Sequence, residues 1–242
     1  RFNRRGGGQP FLSKKDTEEF SIPLPPLKVQ QEIVDELEGY QKIIDGCKQV
    51  VENYKPTIDI DPSWQMVELG EICELISGQS PASKYYNENN DGLPFYQGKT
   101  EFGDMYLKET KIYTSSITKI SNKGDIVMSV RAPVGPVNLP TREICIGRGL
   151  CAIRPKQEKD LIYLFNILQV KGIVVGHMGA TYESINRDEL KSIKIPYPNE
   201  QLKAEIVQHI LEERKVIEGN KKLIEIYTQK IQDRINKVWG ED

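Results

Sequence analysis

An ungapped internal repeat constrains this chain more than any other feature of its sequence. A shift of 173 residues places the segment IPLPPLKVQQEIV (22–34) on the segment IPYPNEQLKAEIV (195–207). The same register continues downstream until it pairs Tyr54 with Tyr227. Because a repeat decides the architecture of a chain, we expect two copies of one helical element with other material between them.

Both copies of the repeat have the spacing of a long amphipathic helix. In the second copy, apolar residues recur at steps of three and four from Leu202 to Val238, with Lys and Glu on the other faces. Prolines precede both helices, and Asn199 is suited to cap the second one. Because an apolar stripe must be covered, we expect the helices to pack on each other, on a helix from another chain, or on both. The predicted pairing residues are Ile33, Leu37, Ile44, Ile206, Ile210, Ile217, Ile224 and Ile231.

A glycine stands at matching places in the two helices, at Gly46 and Gly219. Glycine inside a helix costs about 1 kcal/mol relative to alanine. The pair therefore predicts a close helix crossing or a bend at these positions.

The segment between the helices has the mixed texture of an α+β domain. WQMVELGEICELISG predicts a short strand followed by a short helix that ends at Gly78. LPFYQGK, TKIYT, GDIVMSV and ICIGRGLCAIRP predict strands, DLIYLFNILQVKG predicts an amphipathic helix, 187–190 a short turn or helix, and SIKIPYP a last strand. The predicted fold class is α+β, with one mixed α/β domain of roughly 130 residues flanked by two long antiparallel coiled-coil helices.

Composition excludes several classes of protein. The 33 basic and 35 acidic residues nearly cancel, so any contact with nucleic acid must depend on a local charged surface. No run resembles a membrane span or a signal peptide, and we expect a soluble, cytoplasmic protein without a membrane partner. The four cysteines form no CxxC pair and the two histidines lie far from them, which predicts reduced thiols, no metal site and no cofactor.

The motifs of common enzymes are missing from the segment between the helices. It contains neither the Asp/Asn-Pro-Pro-aromatic signature of adenine methyltransferases nor a glycine-rich nucleotide loop nor a nucleophile motif. Asp104, Glu109 and Lys111 resemble a nuclease triplet that could hold Mg²⁺. Such spacing is common by chance in a chain with 28% charged residues. We therefore predict a non-catalytic protein and keep a Mg²⁺-dependent DNA endonuclease as the alternative.

Several loops of this segment contain side chains that suit nucleic acid. Arg and Gln make bidentate contacts with guanine and adenine edges, and Lys and Ser bind phosphates. Tyr96 also fits a core position, and Arg148 also fits an ion-paired surface arginine. The predicted DNA-binding residues are Gln79, Ser80, Tyr96, Gln97, Lys99, Arg131 and Arg148.

The chain resembles the DNA-specificity subunit of type I restriction-modification systems. The resemblance rests on the two helix openings quoted above, on WQMVELGEICELISGQSP and GDIVMSVRAPVGPVNLP within the domain, and on IKIPYP at its close. It implies a target-recognition domain that binds one half of a split double-stranded DNA target. It also implies that the helices set the distance to the second half-site and dock adenine-specific methyltransferase subunits and the restriction subunit. The specificity subunit itself would not catalyse.

The resemblance also suggests how the chain is divided. Members of the family usually carry two complete recognition domains, whereas this chain has one. We expect a tail of a preceding recognition-type domain at 1–26, spacer helices at 27–56 and 199–242, and the recognition domain at 62–198. The chain would be the C-terminal half of a specificity subunit, a half-size subunit or a region of a larger fused protein. A half-size subunit would form a homodimer through its long helices and read a palindromic, interrupted target. A structural coiled-coil adaptor without DNA binding is the remaining alternative.

Overall fold

A computed structural model describes residues 22–170 and 184–239. The chain forms two compact units, of which the first contains the described residues up to Tyr54 and those from Arg214 onward, and the second contains Lys55–Glu213. Within the described residues, no helix combines the length and the apolar character that crossing a bilayer requires.

Short strands make up most of the second unit, with short helices before and after the main run of strands, and long helices precede and follow them. In chain order the elements are α1 (Leu27–Asn53), β1 (Met66–Glu68), α2 (Leu69–Ile72), β2 (Cys73–Ser77), β3 (Tyr86–Asn87), β4 (Leu93–Tyr96), β5 (Tyr113–Thr114), β6 (Ile120–Ser121), β7 (Ile126–Ser129), β8 (Val137–Asn138), β9 (Ile144–Ile146), β10 (Leu150–Pro155), α3 (Leu161–Ile167), α4 (Arg187–Lys191), β11 (Lys194–Pro196) and α5 (Glu200–Trp239).

In the first unit, α1 contacts the C-terminal part of α5. Glu36 Oε2 accepts a hydrogen bond from Arg234 Nε at 2.8 Å, and the rings of Tyr40 and Tyr227 are 5.4 Å apart. Residues later in α1 therefore contact residues earlier in α5. Ile44 is buried in this unit.

The predicted pairing residues are all at least half-buried. Ile44, Ile210 and Ile217 are buried, and the remaining five are half-buried. Ile206, however, packs with Val207 against the hydrophobic core of the second unit. We therefore assign Ile206 to the domain core, which corrects its placement in the helix pair.

The close helix crossing predicted at the two matching glycines is wrong. Gly46 and Gly219 are exposed, and a Cβ atom added to either would meet no heavy atom within 4 Å. Both helices continue through their glycine without interruption.

The second unit contains three sheets within its described residues. The larger two have the strand orders β2-β10-β7-β8 and β3-β5-β4-β9-β6, and β1 pairs with β11. The pairs are antiparallel except for β4 and β9, which run parallel.

The central strands of the four-stranded sheet are buried on both faces. In β7, Ile126 and Met128 belong to the main core cluster, which also contains Phe165 of α3, while Val127 packs with Ile144 and other residues in a second cluster. Burial on both faces explains why the strand sequences are continuously apolar instead of alternating.

Two predicted elements differ from the structure. The helix predicted to reach Gly78 has only four residues, and the segment CELIS forms strand β2 because it pairs along its length with β10. Burial alternates along this strand, with Cys73 and Leu75 buried and Glu74 exposed. The helix predicted as amphipathic, α3, is buried around its whole circumference from Tyr163 to Leu168. Its predicted glycine stop, Gly172, lies outside the described residues.

The start of α5 agrees with the prediction of its cap. The backbone N–H of Leu202 donates a hydrogen bond to Asn199 Oδ1 at 3.0 Å. Such a side-chain cap satisfies one of the N–H groups that the first helical turn leaves unpaired. The predicted cap at Asn199 is confirmed.

Candidate nucleic-acid interface

Two of the predicted loops leave the same edge of the five-stranded sheet. Strands β4 and β9 are parallel neighbours with Tyr96 opposite Ile146. The residues that follow them, 97–99 and 147–149, therefore emerge side by side. A hydrogen bond of 2.7 Å from Gly147 N to Tyr96 O joins the two segments.

Two further loops reach this edge through the four-stranded sheet. Strand β10 begins at Leu150, directly after the second loop, and it pairs antiparallel with the ends of both β7 and β2. The segments that follow those ends carry Arg131 on one side and Gln79 and Ser80 on the other. Four segments distant in sequence thus converge because of strand pairing.

Glycines allow these segments to approach one another closely. A Cβ atom at Gly78 would lie 2.2 Å from Gly147 O, and one at Gly149 would lie 2.4 Å from Gln97 O. Because the atoms met are backbone atoms, no side chain can be accommodated at either position. Gly78 and Gly149 are therefore required for the close approach of these segments.

Three of the four loops surround one open pocket of about 180 Å³. Of the predicted DNA-binding residues, Gln97, Lys99, Arg131 and Arg148 line it. Ser80 lies beside the pocket, because its Oγ accepts a hydrogen bond from the Arg148 backbone N–H at 3.2 Å. The remaining lining residues are Gly98, Ser129, Ala132 and Gly149.

Six of the seven predicted side chains are open to solvent at this edge. Ser80 is half-buried, and the others are exposed except for Tyr96. Tyr96 is only 3% exposed, its hydroxyl donates a hydrogen bond to Lys108 O at 2.9 Å, and its burial raises the pKa of the phenol to about 12. Tyr96 is a core residue, and we exclude it from the proposed contacts.

The converging edge is basic although the chain as a whole is not. The adjoining segments, 78–82, 97–101, 118–121, 129–136 and 146–150, contain one acidic residue, Glu101. Their basic residues are Lys99, Lys119, Arg131 and Arg148. Lys119 is not among the residues predicted from the sequence, since its position depends on the pairing of a short segment with distant strands.

Two arginines away from the pocket, Arg142 and Arg154, are paired with carboxylates. Arg154 donates to Asp125 through Nε at 2.8 Å, and this hydrogen bond raises the pKa of the guanidinium despite its partial burial. Arg142 contacts Glu109 at 2.6 Å. These carboxylate pairs distinguish Arg142 and Arg154 from the pocket residues Arg131 and Arg148, which no ion pair engages in the described part of the chain.

One carboxylate of the nuclease-like triplet, Glu109, is engaged by an arginine in the described residues. Among 22–170 and 184–239, no group of three or more His, Cys, Asp or Glu side chains is placed to hold a metal ion. Glu109 is paired with Arg142, and a cationic neighbour opposes Mg²⁺ binding. The alternative of a Mg²⁺-dependent nuclease has no support in this geometry.

Comparisons with known proteins agree with the architecture. The sequence profile of the family described as "Type I restriction modification DNA specificity domain" matches residues 1–53 and 62–226. A specificity subunit named for the MjaX type I restriction enzyme of Methanocaldococcus jannaschii is 33% identical over 224 residues, covering 81% of this chain and 52% of that protein. The MjaIX specificity subunit of the same organism is 25% identical over 198 residues, covering 76% and 45%. The chain thus spans about half the length of these relatives.

Two solved structures are similar over nearly the whole chain. One is from work titled "Structural basis underlying complex assembly and conformational transition of the type I R-M system", with a TM-score of 0.63, 29% identity, and coverage of 99% of this chain and 66% of that one. The other is the HsdS subunit from Thermoanaerobacter tengcongensis, with a TM-score of 0.55, 29% identity, and coverage of 99% and 65%. The chain belongs to the family of type I restriction-modification DNA specificity domains.

Proposed function

We propose that this chain is the DNA-reading, non-catalytic part of a type I restriction-modification complex, and that its recognition domain binds one half of a bipartite double-stranded target. The observation that carries the proposal is the convergence of Gln97, Lys99, Arg131 and Arg148 around one pocket. Family membership supports the same conclusion. Binding of DNA by such a complex would place the protein in the cytoplasm.

The chemistry of the pocket suits both kinds of DNA contact. Arg131, Arg148 and Gln97 carry the groups that form bidentate hydrogen bonds with base edges, whereas Lys99 and Ser80 carry groups that bind phosphate. Basic residues outnumber acidic ones in the adjoining segments, and this local charge attracts the DNA backbone. Binding should therefore weaken steeply as salt is added, because each phosphate contact releases counterions.

The long helices are proposed as an antiparallel coiled-coil spacer that also docks partner subunits. The contacts of Glu36 with Arg234 and of Tyr40 with Tyr227 support the antiparallel direction. Apolar residues remain on the outside of both helices, for example Val50 of α1, which is 45% exposed. Such residues suit the docking of adenine-specific methyltransferase and restriction subunits. One of the similar structures comes from work on the assembly of a type I complex.

The first copy of the repeat supports a second recognition-type domain. Ile22 and Ile195 occupy equivalent places in the two copies, and Ile195 is fully buried in the described domain. A domain preceding α1, of which residues 1–26 would be the tail, would cover Ile22 as the described domain covers Ile195. A chain with one recognition domain would instead reach both half-sites as a homodimer.

The proposal is tested by selecting a target and then weakening its recognition. Duplexes enriched from a randomised DNA pool by the purified chain define the target. Arg148→Ala should reduce affinity for that target by about 5- to 150-fold if the arginine reads a base. Arg142→Ala is the matched control, since Arg142 precedes β9 and Arg148 follows it, so that the two lie at opposite ends of one strand. Absence of any enriched sequence together with salt-independent DNA binding would contradict the proposed function.

A further inference from the structure

Lys119 lies at the same edge as the pocket, on the far side of strand β9. Strand β6 pairs antiparallel with β9, with Ile120 opposite Cys145. Lys119 directly precedes β6 and is therefore beside the end of β9. The carbonyl oxygen of Lys119 accepts a hydrogen bond from Ile146 N at 2.9 Å. The neighbouring Thr118 hydroxyl donates to Gln79 O, which ties this segment to the loop after β2.

Strand order places Arg148 between two lysines. The order β4-β9-β6 gives Lys99 after the first strand, Arg148 after the second and Lys119 before the third. Adjacent strands are about 4.8 Å apart, so the backbones that carry the two lysines are separated by about 10 Å. Successive phosphates of one DNA strand advance only about 3.4 Å along the helix axis, so two lysines at this separation can contact different phosphates.

The side chain of Lys119 is available for such a contact. It is exposed, and in the described part of the chain no ion pair engages either Lys119 or Lys99. Lys119 does not line the pocket. A lysine ammonium is a compact point charge without the planar fork of arginine, and it suits a phosphate better than a base edge.

We propose that Lys119 binds a DNA phosphate on the opposite side of Arg148 from Lys99. Contacts of these two lysines with the DNA backbone would then hold Arg148 in register with its base. The inference rests on the proposed function and adds a positioning residue to it. Contacts with phosphate orient a protein on the duplex but carry no sequence information, whereas Arg148 would supply the discrimination.

The test measures the salt dependence of binding to two DNA duplexes of about 30 base pairs, one of random sequence and one carrying the selected target. Affinities between about 50 and 300 mM KCl give the slope of log K against log salt, which changes by about 0.9 for each phosphate contact. Lys119→Ala should lower the magnitude of the slope by that amount on both duplexes and leave their affinity ratio unchanged. Lys119→Arg should restore the slope. Lys123→Ala is the matched control, because Lys123 is exposed just beyond the opposite end of β6.

The outcomes separate this inference from the function on which it rests. A wild-type slope in Lys119→Ala, with urea unfolding unchanged, would remove Lys119 from the DNA contacts while leaving the proposed function intact. If Lys119→Ala lost the ratio of affinities for the target and random duplexes while keeping the salt slope, Lys119 would be assigned to base reading and the proposed phosphate contact would be wrong. If the unmodified chain showed no salt-dependent binding to either duplex, the proposed function itself would fail.

Discussion

Lys203 Nζ lies 2.5 Å from Asp160 Oδ1, and both side chains are buried. The second carboxylate oxygen accepts a hydrogen bond from the Tyr197 hydroxyl at 2.5 Å, and the Lys203 ammonium lies 3.8 Å from the centre of the Tyr197 ring. Lys203 also contacts Glu200 at 2.7 Å. Tyr197 precedes the first residue of α5 and Lys203 follows it. The buried ion pair of Lys203 with Asp160, together with Tyr197, therefore fixes the connection from β11 to α5.

Removing one partner of this pair should destabilise the domain strongly. Lys203→Met leaves the Asp160 carboxylate buried without its cation, and such losses cost about 3–5 kcal/mol. The free energy of urea unfolding measures the effect. The double variant Asp160→Leu with Lys203→Met is the control, since it removes both charges and should be markedly more stable than the single variant. Equal stability of the single variant and the unmodified chain would contradict a structural role for the pair.

The same ion pair should survive alkaline conditions. Burial alone would lower the pKa of Lys203, but hydrogen bonds with Asp160 and Glu200 outweigh burial and raise it above its usual value. Because the pKa of Lys203 is raised in the folded state, the contribution of the ion pair to the free energy of unfolding is complete below the unfolded pKa of about 10.4. It is lost as pH rises through the folded pKa. We expect Lys203→Met to lose the same free energy of unfolding at pH 7 and at pH 9. A difference that shrinks between these two pH values would contradict the raised pKa.

Alanine at Gly46 or Gly219 should stabilise the chain. Both positions are exposed and leave open space for a Cβ atom. Because alanine favours the helix and restricts the unfolded chain, each change should add about 0.5–1 kcal/mol to the free energy of unfolding. Thermal unfolding followed by circular dichroism measures the gain. Gly149→Ala is the contrasting variant and should destabilise, since its Cβ would meet Gln97 O; a loss at Gly46 or Gly219 would indicate an unseen close contact.

Tyr96→Phe separates packing from DNA contact. The change removes the hydrogen bond to Lys108 O and should lower the free energy of unfolding by about 1 kcal/mol. Because the ring is buried, affinity for the selected DNA target should remain that of the unmodified chain, measured by fluorescence anisotropy. A loss of affinity comparable to that of Arg148→Ala would return Tyr96 to the set of DNA contacts.

The cysteines should resist modification in the folded protein. All four are buried, and burial raises the pKa of Cys73 to about 12 and that of Cys151 to about 11. Since the thiolate is the reactive form, a disulfide reagent should label neither thiol at pH 8 until urea unfolds the domain. Mass spectrometry of the labelled peptides identifies the sites, and rapid labelling of Cys73 or Cys151 under native conditions would contradict their burial.

Local pattern was sufficient for the helices and for most strands. The repeat register and the three-and-four spacing predicted α1 and α5, and Asn199 was recognisable as a cap because capping depends on neighbouring residues alone. Composition was insufficient for elements whose conformation or burial depends on the elements that contact them. CELIS became a strand because it pairs with β10, and α3 was buried all round because other elements cover it. The open space around Gly46 is likewise a property of the surroundings.

The residue types of the candidate site were visible in the sequence, but the sequence did not show that these residues lie close together in the folded domain. The sequence by itself determined a repeated long helix, an α+β domain between its two copies, and loops that carry Arg, Gln and Lys. Only tertiary structure decided that the loops after β2, β4, β7 and β9 share one edge, that Tyr96 is buried and that Lys119 flanks Arg148. The physical reason is that helix periodicity is a local property of the chain, whereas strand register joins residues far apart in sequence.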